Sequence, residues 1–161
     1  CNNYGPNHYP EKFIPTIIHN IIYKKPIPIY GNGKNSRAWI YVQDHCDALI
    51  KISEKGVSGE NYNIGSGVEL NNNDLVQRII LLFKKIDREL YNNVKLIYVK
   101  DRPGHDLRYS LNSSKIKRSL NWSCKYNFEE GLKKTILWYI DKFNKNFYKN
   151  KDFKKRIGLK T

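Results

Sequence analysis

The stretch RAWIYVQDHCDALIKISE, residues 37–54, changes periodicity in its middle, and that change decides the class of the fold. Trp39-Ile40-Tyr41-Val42 is β-branched and aromatic, the composition of a strand. Asp44 then offers a carboxylate suited to cap a helix, and the spacing predicts that helix through about Glu54, with Cys46, Leu49 and Ile50 facing inward. Gly56 and Gly59 close the unit. A strand running straight into a helix is the repeating element of an α/β protein.

The same alternation continues on both sides. Upstream, Phe13, Ile14, Ile17, Ile18, Ile21 and Ile22 recur at helical spacing and predict a helix over residues 10–24, with Pro10 and Pro15 near its first turns. Pro26 and Pro28 stop it, Ile27 to Tyr30 reads as extended, and Gly31-Asn32-Gly33 as a turn. Downstream, Tyr62 to Gly65 reads as a brief strand. Asn71-Asn72-Asn73-Asp74 favours a helix start, and Leu75, Ile79, Leu82, Phe83, Ile86 and Leu90 form the strongest helical stripe of the chain. Val94 to Val99 reads as a strand ending at Asp101-Arg102-Pro103-Gly104, and a short helix is predicted from Ser114 to Leu120. Asn127 with Glu130 spells a capping box for a last helix through Phe143, burying Leu132, Ile136, Tyr139 and Ile140. The expected fold is α/β, with residues 1–143 as one domain and 144–161 as a basic tail.

The 161 residues suffice for one core of ordinary size and no apolar run is long enough to cross a bilayer. The net charge of +14 invites a nucleic-acid partner, yet half of that excess lies in residues 142–161, where seven Lys and one Arg face one Asp. No zinc finger, helix-turn-helix or aromatic RNA-binding motif accompanies it, which argues against that partner. Cys1, Cys46 and Cys124 form no CxxC pair and suggest a reducing, cytoplasmic setting, and the four histidines show no metal-ligand spacing. The sequence contains no methionine, so the expectation is that Cys1 is not a natural start and that the chain is part of a longer one.

Catalytic motifs are sparse. There is no GxGxxG, GxSxG or Walker loop, and two formal Tyr-x-x-x-Lys matches, Tyr30 with Lys34 and Tyr91 with Lys95, fall in a loop and across an element boundary. What remains suits an anion: Lys12 near a helix start, Arg37 entering a strand, and Arg102 with His105 around a Pro-Gly turn. Arginine's planar fork pairs with phosphate oxygens, and Tyr30 between Pro28 and Gly31 offers a flat face for a base. Composition alone also fits surface cations and turn residues.

The order of the blocks separates those readings. Asn2-Asn3-Tyr4-Gly5-Pro6, Pro10-Glu11-Lys12-Phe13-Ile14-Pro15, Pro28-Ile29-Tyr30-Gly31-Asn32-Gly33, Arg37 to His45, Tyr62-Asn63-Ile64-Gly65 and Asp101-Arg102-Pro103-Gly104-His105-Asp106 succeed one another over residues 1–143. This series resembles the C-terminal half of the dTDP-glucose 4,6-dehydratases, extended short-chain dehydrogenases/reductases. The resemblance implies the end of a Rossmann sheet plus a smaller substrate-binding domain. It implies NAD, bound mainly by an N-terminal half outside this chain, and a homodimer when that half is present. It further implies a dTDP- or UDP-hexose as substrate. Asn2, Lys12, Arg37 and Arg102 would contact sugar and diphosphate, Phe13, Pro28 and Tyr30 the base, and Asn72 and His105 further parts of the nucleotide. Cys1 falls where such chains pass the cofactor.

The family reaction oxidises the hexose at C4, eliminates water across C5 and C6, and returns the hydride to C6. It uses a helical Tyr-x-x-x-Lys and an Asp-Glu pair, neither of which this chain carries in a suitable setting, so the chain is expected to bind substrate without turning it over. UDP-sugar dehydratases, epimerases or decarboxylases of the same superfamily are the nearest alternative, and a basic nucleic-acid-binding module is the alternative from another class.

Overall fold

The computed structural model describes residues 1–91 and 94–144. Its organising strand is β3, Ser36–Tyr41. β1, Asn2–Tyr4, lies parallel to it with Asn2 opposite Trp39, and β4, Val68–Asn71, lies antiparallel on its other edge. β6, Arg108–Tyr109, is also parallel to β3 and pairs Ser36 and Arg37, so β1 and β6 share one edge end to end. A second, two-stranded parallel sheet joins β2, Ile27–Tyr30, to β5, Leu96–Val99.

Both faces of β3 are covered, and its period of two sorts the core. Trp39 and Tyr41 join Tyr4 in a large cluster with Ile14, Ile17, Ile18 and Ile21 of helix α1, Phe13–Ile22. Leu75, Ile79 and Phe83 of α3, Asn72–Ile86, and Leu132, Ile136 and Tyr139 of α6, Phe128–Asn144, complete it. Ile40 points the other way, into a smaller cluster with Ala48 of α2, Val42–Lys55, and Ile116, Leu120 and Trp122 in and after α5, Ser114–Leu120. The sheet is therefore a middle layer between helices, as in α/β proteins. Among the described residues, no helix is long and apolar enough to cross a membrane.

Several expectations are met in atomic detail. Asn71 caps α3, its side-chain oxygen accepting the Asp74 N–H at 2.9 Å. The predicted capping box of α6 closes reciprocally: the Glu130 N–H donates to Asn127 at 2.9 Å and the Asn127 N–H to Glu130 at 3.1 Å.

Others are corrected. α1 begins at Phe13 rather than residue 10, because the chain from Tyr9 to Lys12 closes a separate turn, Lys12 N–H to Tyr9 carbonyl. Asp44 does not cap α2; it lies in the first turn, buried, accepting the Lys125 N–H at 2.8 Å and the Tyr126 N–H at 3.3 Å. That fixes the inward stripe of α2 as Asp44, Ala48 and Ile52, four residues apart, and turns Cys46, Leu49 and Ile50 outward; the last two are 51% and 57% exposed. Tyr62 to Gly65 is not a strand, although Ile64 is buried; the strand is β4, Val68-Glu69-Leu70-Asn71, whose single apolar–polar alternation is too short to stand out in the sequence and which pairs with β3. α3 ends at Ile86, leaving Leu90 in a separate short helix, α4, Arg88–Tyr91. β5 starts at Leu96 rather than Val94. The tail from residue 145 onward lies outside the described residues.

Candidate functional site

Five chain segments meet at the ends of β1, β2 and β3 around a cavity of about 460 Å³. β1 contributes Asn2, the start of α1 contributes Lys12 and Phe13, β2 ends at its rim with Tyr30, β3 brings Arg37, and the loop after β5 brings Arg102. A smaller hollow of about 100 Å³ shares most of that wall and adds Asn72, the first residue of α3, and His105. Eight of the ten residues singled out from the sequence thus line one continuous depression. Pro28 does not; it is buried in β2 two residues before Tyr30. Cys1 also lies outside, its amino group donating to the Ile64 carbonyl at 3.4 Å and its side chain packed on the smaller core cluster.

The cationic groups are held by their surroundings. Arg37 donates from Nη1 to the Ser36 carbonyl at 2.7 Å and from Nη2 to the Asp106 carbonyl at 2.8 Å, which orients the plane of its fork. The Arg102 guanidinium sits 5.2 Å from the centre of the Tyr30 ring, within cation–π range. His105 meets the same ring edge-on, with centroids 6.2 Å apart and planes at 82°. Its Nδ1 lies 2.6 Å from Asp101 Oδ1, and this bond holds the Asp101 carboxyl below the usual carboxylate range. Lys12 is half-exposed, 3.3 Å from Glu11.

Four wall residues were not singled out as site residues: Asn3, His8, Glu11 and Trp39. Trp39 reads in the sequence only as a strand residue; the register that sets it opposite Asn2 brings it to the cavity. Burial, and secondarily the charge of Lys12, lowers the pKa of His8 to about 4, so the imidazole is neutral near pH 7. Three cationic side chains then face one carboxylate, and the depression favours an anion carrying an apolar or aromatic part.

A dinucleotide cradle requires a glycine turn between a strand and a helix, open to a pyrophosphate. Gly33 has φ of +72°, and a Cβ there would overlap the Asn73 side chain; Gly31 is packed against Asp101. The Gly65 to Gly67 turn leads into β4, not a helix. The described residues therefore form no such cradle. Nor do they set a Tyr-x-x-x-Lys pair on one helix: Tyr30 ends β2 with Lys34 beyond the turn, and Tyr91 ends α4 with Lys95 just before β5. Among them, no group of three His, Cys, Asp or Glu is arranged to hold a metal ion.

The chain as a whole is similar to proteins described as nucleotide-sugar dehydratases and epimerases. Residues 1–135 match the model of the GDP-mannose 4,6 dehydratase family. The chain is 49% identical over 145 residues to a dTDP-glucose 4,6-dehydratase of Escherichia coli, covering 87% of this chain and 40% of that protein. It superposes on the crystal structure of dTDP-glucose 4,6-dehydratase from Bacillus anthracis in complex with NAD with a TM-score of 0.79 at 43% identity, covering 89% of this chain and 43% of that one. It also superposes on UDP-glucose 4-epimerase of Thermotoga maritima, solved with UDP-glucose, with a TM-score of 0.77 at 29% identity, over 88% and 44% of the two chains. The chain spans about two fifths of the length of the curated relatives it matches.

Proposed function

Because the chain belongs to the GDP-mannose 4,6 dehydratase family, we propose that it is the nucleotide-sugar-binding, C-terminal portion of an NAD-dependent dTDP-glucose 4,6-dehydratase. The observation that carries this reading is the convergence of the Arg37 and Arg102 forks on one cavity of about 460 Å³ with the Tyr30 ring beneath Arg102. A nucleoside diphosphate brings at least two negative charges and one planar base, and each charge entering a partly closed site needs fixed donors in place of water.

In this reading Arg37 and Arg102 bind the diphosphate, with Lys12 adding charge at the mouth. Asn2 reaches the sugar side, and Tyr30 and Phe13 flank the base. Asn72 and His105, across the smaller hollow, hold the remaining edge of the nucleotide. Pro28, two residues before Tyr30 and on the same face of β2, supports it along the strand. The work of these residues is binding and orientation: a diphosphate clamped at both ends presents the hexose in one pose, and such positioning is a large share of catalysis. NAD, the base that removes the C4 hydroxyl proton and the groups for the elimination are assigned to the N-terminal Rossmann portion of the longer protein. Cys1, which immediately precedes β1, is the residue of this chain assigned next to that cofactor. The longer protein is assigned as a homodimer paired through its N-terminal portion.

Calorimetric titration of the full-length protein with dTDP tests the reading. Saturable binding by the wild type, and a loss of about tenfold or more on Arg37→Ala, is expected. An Arg37→Ala variant that binds as tightly as the wild type removes the diphosphate assignment. Parallel titration with UDP reads the base, where one methyl group contributes only ~1 kcal/mol.

A further inference from the structure

Asp101 lines neither part of the depression, yet three observations converge on its carboxylate. Oδ1 lies 2.6 Å from His105 Nδ1 and accepts the Arg102 N–H at 2.8 Å. Oδ2 sits against Gly31, where a Cβ would come within 2.9 Å of it, at the turn that follows Tyr30. His105 is only 7% exposed on its side chain, whereas Asp101 is 40% exposed. The histidine is therefore fixed between the Tyr30 ring on one side and the carboxylate on the other.

We propose that Asp101 is a positioning residue of the nucleotide site: by accepting a hydrogen bond from Nδ1–H it fixes the ring plane and tautomer of His105, so that Nε2 is the nitrogen presented to the bound nucleotide. The assignment rests on the reading of the depression as a nucleoside diphosphate site. An ionised carboxylate only accepts, so the proton between the two groups must sit on Nδ1. Neutral His105 then offers Nε2 as an acceptor to an N–H or O–H of the ligand, and protonated His105 offers it as a donor to an anionic oxygen. The same oxygen accepts the backbone N–H of Arg102, so one carboxylate holds the His105 ring and the main chain at Arg102, two residues whose side chains meet Tyr30. An amide in its place would donate to Nδ1 as readily as accept from it, and the tautomer would no longer be dictated.

The test is a double-variant cycle in the full-length protein, with dTDP as probe and calorimetry as readout. Asp101→Asn is expected to weaken dTDP binding about five- to tenfold, and the same change in a His105→Gln background by less than about twofold, because the residue it acts through is gone. Nitrogen-15 spectra of the imidazoles should show His105 as the Nδ1–H form in the wild type and a rise of the Nε2–H form in Asp101→Asn. An Asp101→Asn variant that binds within about twofold of the wild type overturns the proposal, as does a loss that persists undiminished beside His105→Gln, which marks a loop-wide structural role. If the wild type does not bind dTDP, the nucleotide reading falls and this assignment with it. If Arg37→Ala weakens binding and Asp101→Asn does not, the nucleotide reading stands and only this assignment falls.

Discussion

Replacing Arg102 by Lys keeps the charge and removes the planar fork, which makes it the sharpest single probe of the site. Two losses add. The Arg102 guanidinium, itself exposed but 5.2 Å from the centre of the buried Tyr30 ring, contributes about 0.5 to 1 kcal/mol. The second arm of a bidentate phosphate contact, a charge-assisted hydrogen bond, contributes about 1.5 to 3 kcal/mol net, part of which an ammonium recovers by direct charge attraction. The expected total is about 1.5 to 3 kcal/mol, or roughly 10- to 150-fold in the dTDP dissociation constant. Titration should be run near 0.15 M salt, where the Debye length is about 8 Å and long-range attraction does not disguise the loss. Thymidine, which lacks the phosphates, should lose only the ring contribution, about two- to fivefold. Because the contact with Tyr30 is already present without ligand, its loss should also lower the melting temperature, by about 1 to 4 °C. A dTDP affinity within about twofold of the wild type, or equal losses for thymidine and dTDP, would refute the reasoning.

Four further outcomes are expected. Gly131→Ala should destabilise the fold by about 1 to 2 kcal/mol despite alanine's better helix propensity, because the added Cβ would come within 2.6 Å of the Tyr4 hydroxyl and 2.9 Å of the Tyr41 ring; urea titration reads it. Asp44→Ala should cost about 1 to 3 kcal/mol by the same measurement, since it removes a buried carboxylate and leaves the part-buried Lys125 and Tyr126 N–H groups without their acceptor. His8, held neutral with a pKa of about 4 against 6.5 when unfolded, binds protons more readily unfolded. Its contribution is therefore complete above pH 6.5 and lost as pH falls towards 4, and His8→Gln should flatten melting temperature against pH across that window. Glu69, whose carboxyl is drawn to about 2 by hydrogen bonds from Arg108 and then Ser36, contributes stability above its ordinary value of 4.5 that fades as pH falls towards 2. Melting curves of Arg108→Ala over that interval should lose this part of the wild-type slope.

How far the sequence could be read differs from element to element. α3 and α6 were legible because an amphipathic stripe of three or more turns is a local signal, and because Asn71 and the Asn127–Glu130 pair close their caps within a few residues. β1, β4 and β6 have two to four residues each, too few for the alternation in Val68-Glu69-Leu70-Asn71 of β4 or any pattern in the other two to stand out; they pair as strands on the edges that β3 offers. The orientation of α2 was misread for a related reason. Leu49 and Ile50 are more apolar than Asp44, but the N–H groups of Lys125 and Tyr126, some eighty residues away, make the carboxylate side the buried one.

The site divides along the same line. Residue types alone pointed to Lys12, Tyr30, Arg37, Arg102 and His105, since guanidinium forks and a flat ring suit an anionic aromatic guest, while Asn2, Phe13 and Asn72 were added only by the family resemblance of the ordered blocks. That these eight occupy one depression is a property of the folded chain, because parallel pairing of β1 with β3 and of β2 with β5 brings segments up to a hundred residues apart to a common end of the strands. Trp39, His8 and Asp101 acquire their parts only there. Chemical identity is carried by each residue, whereas burial, register and the partner of each polar atom arise from distant neighbours that no local stretch of chain encodes.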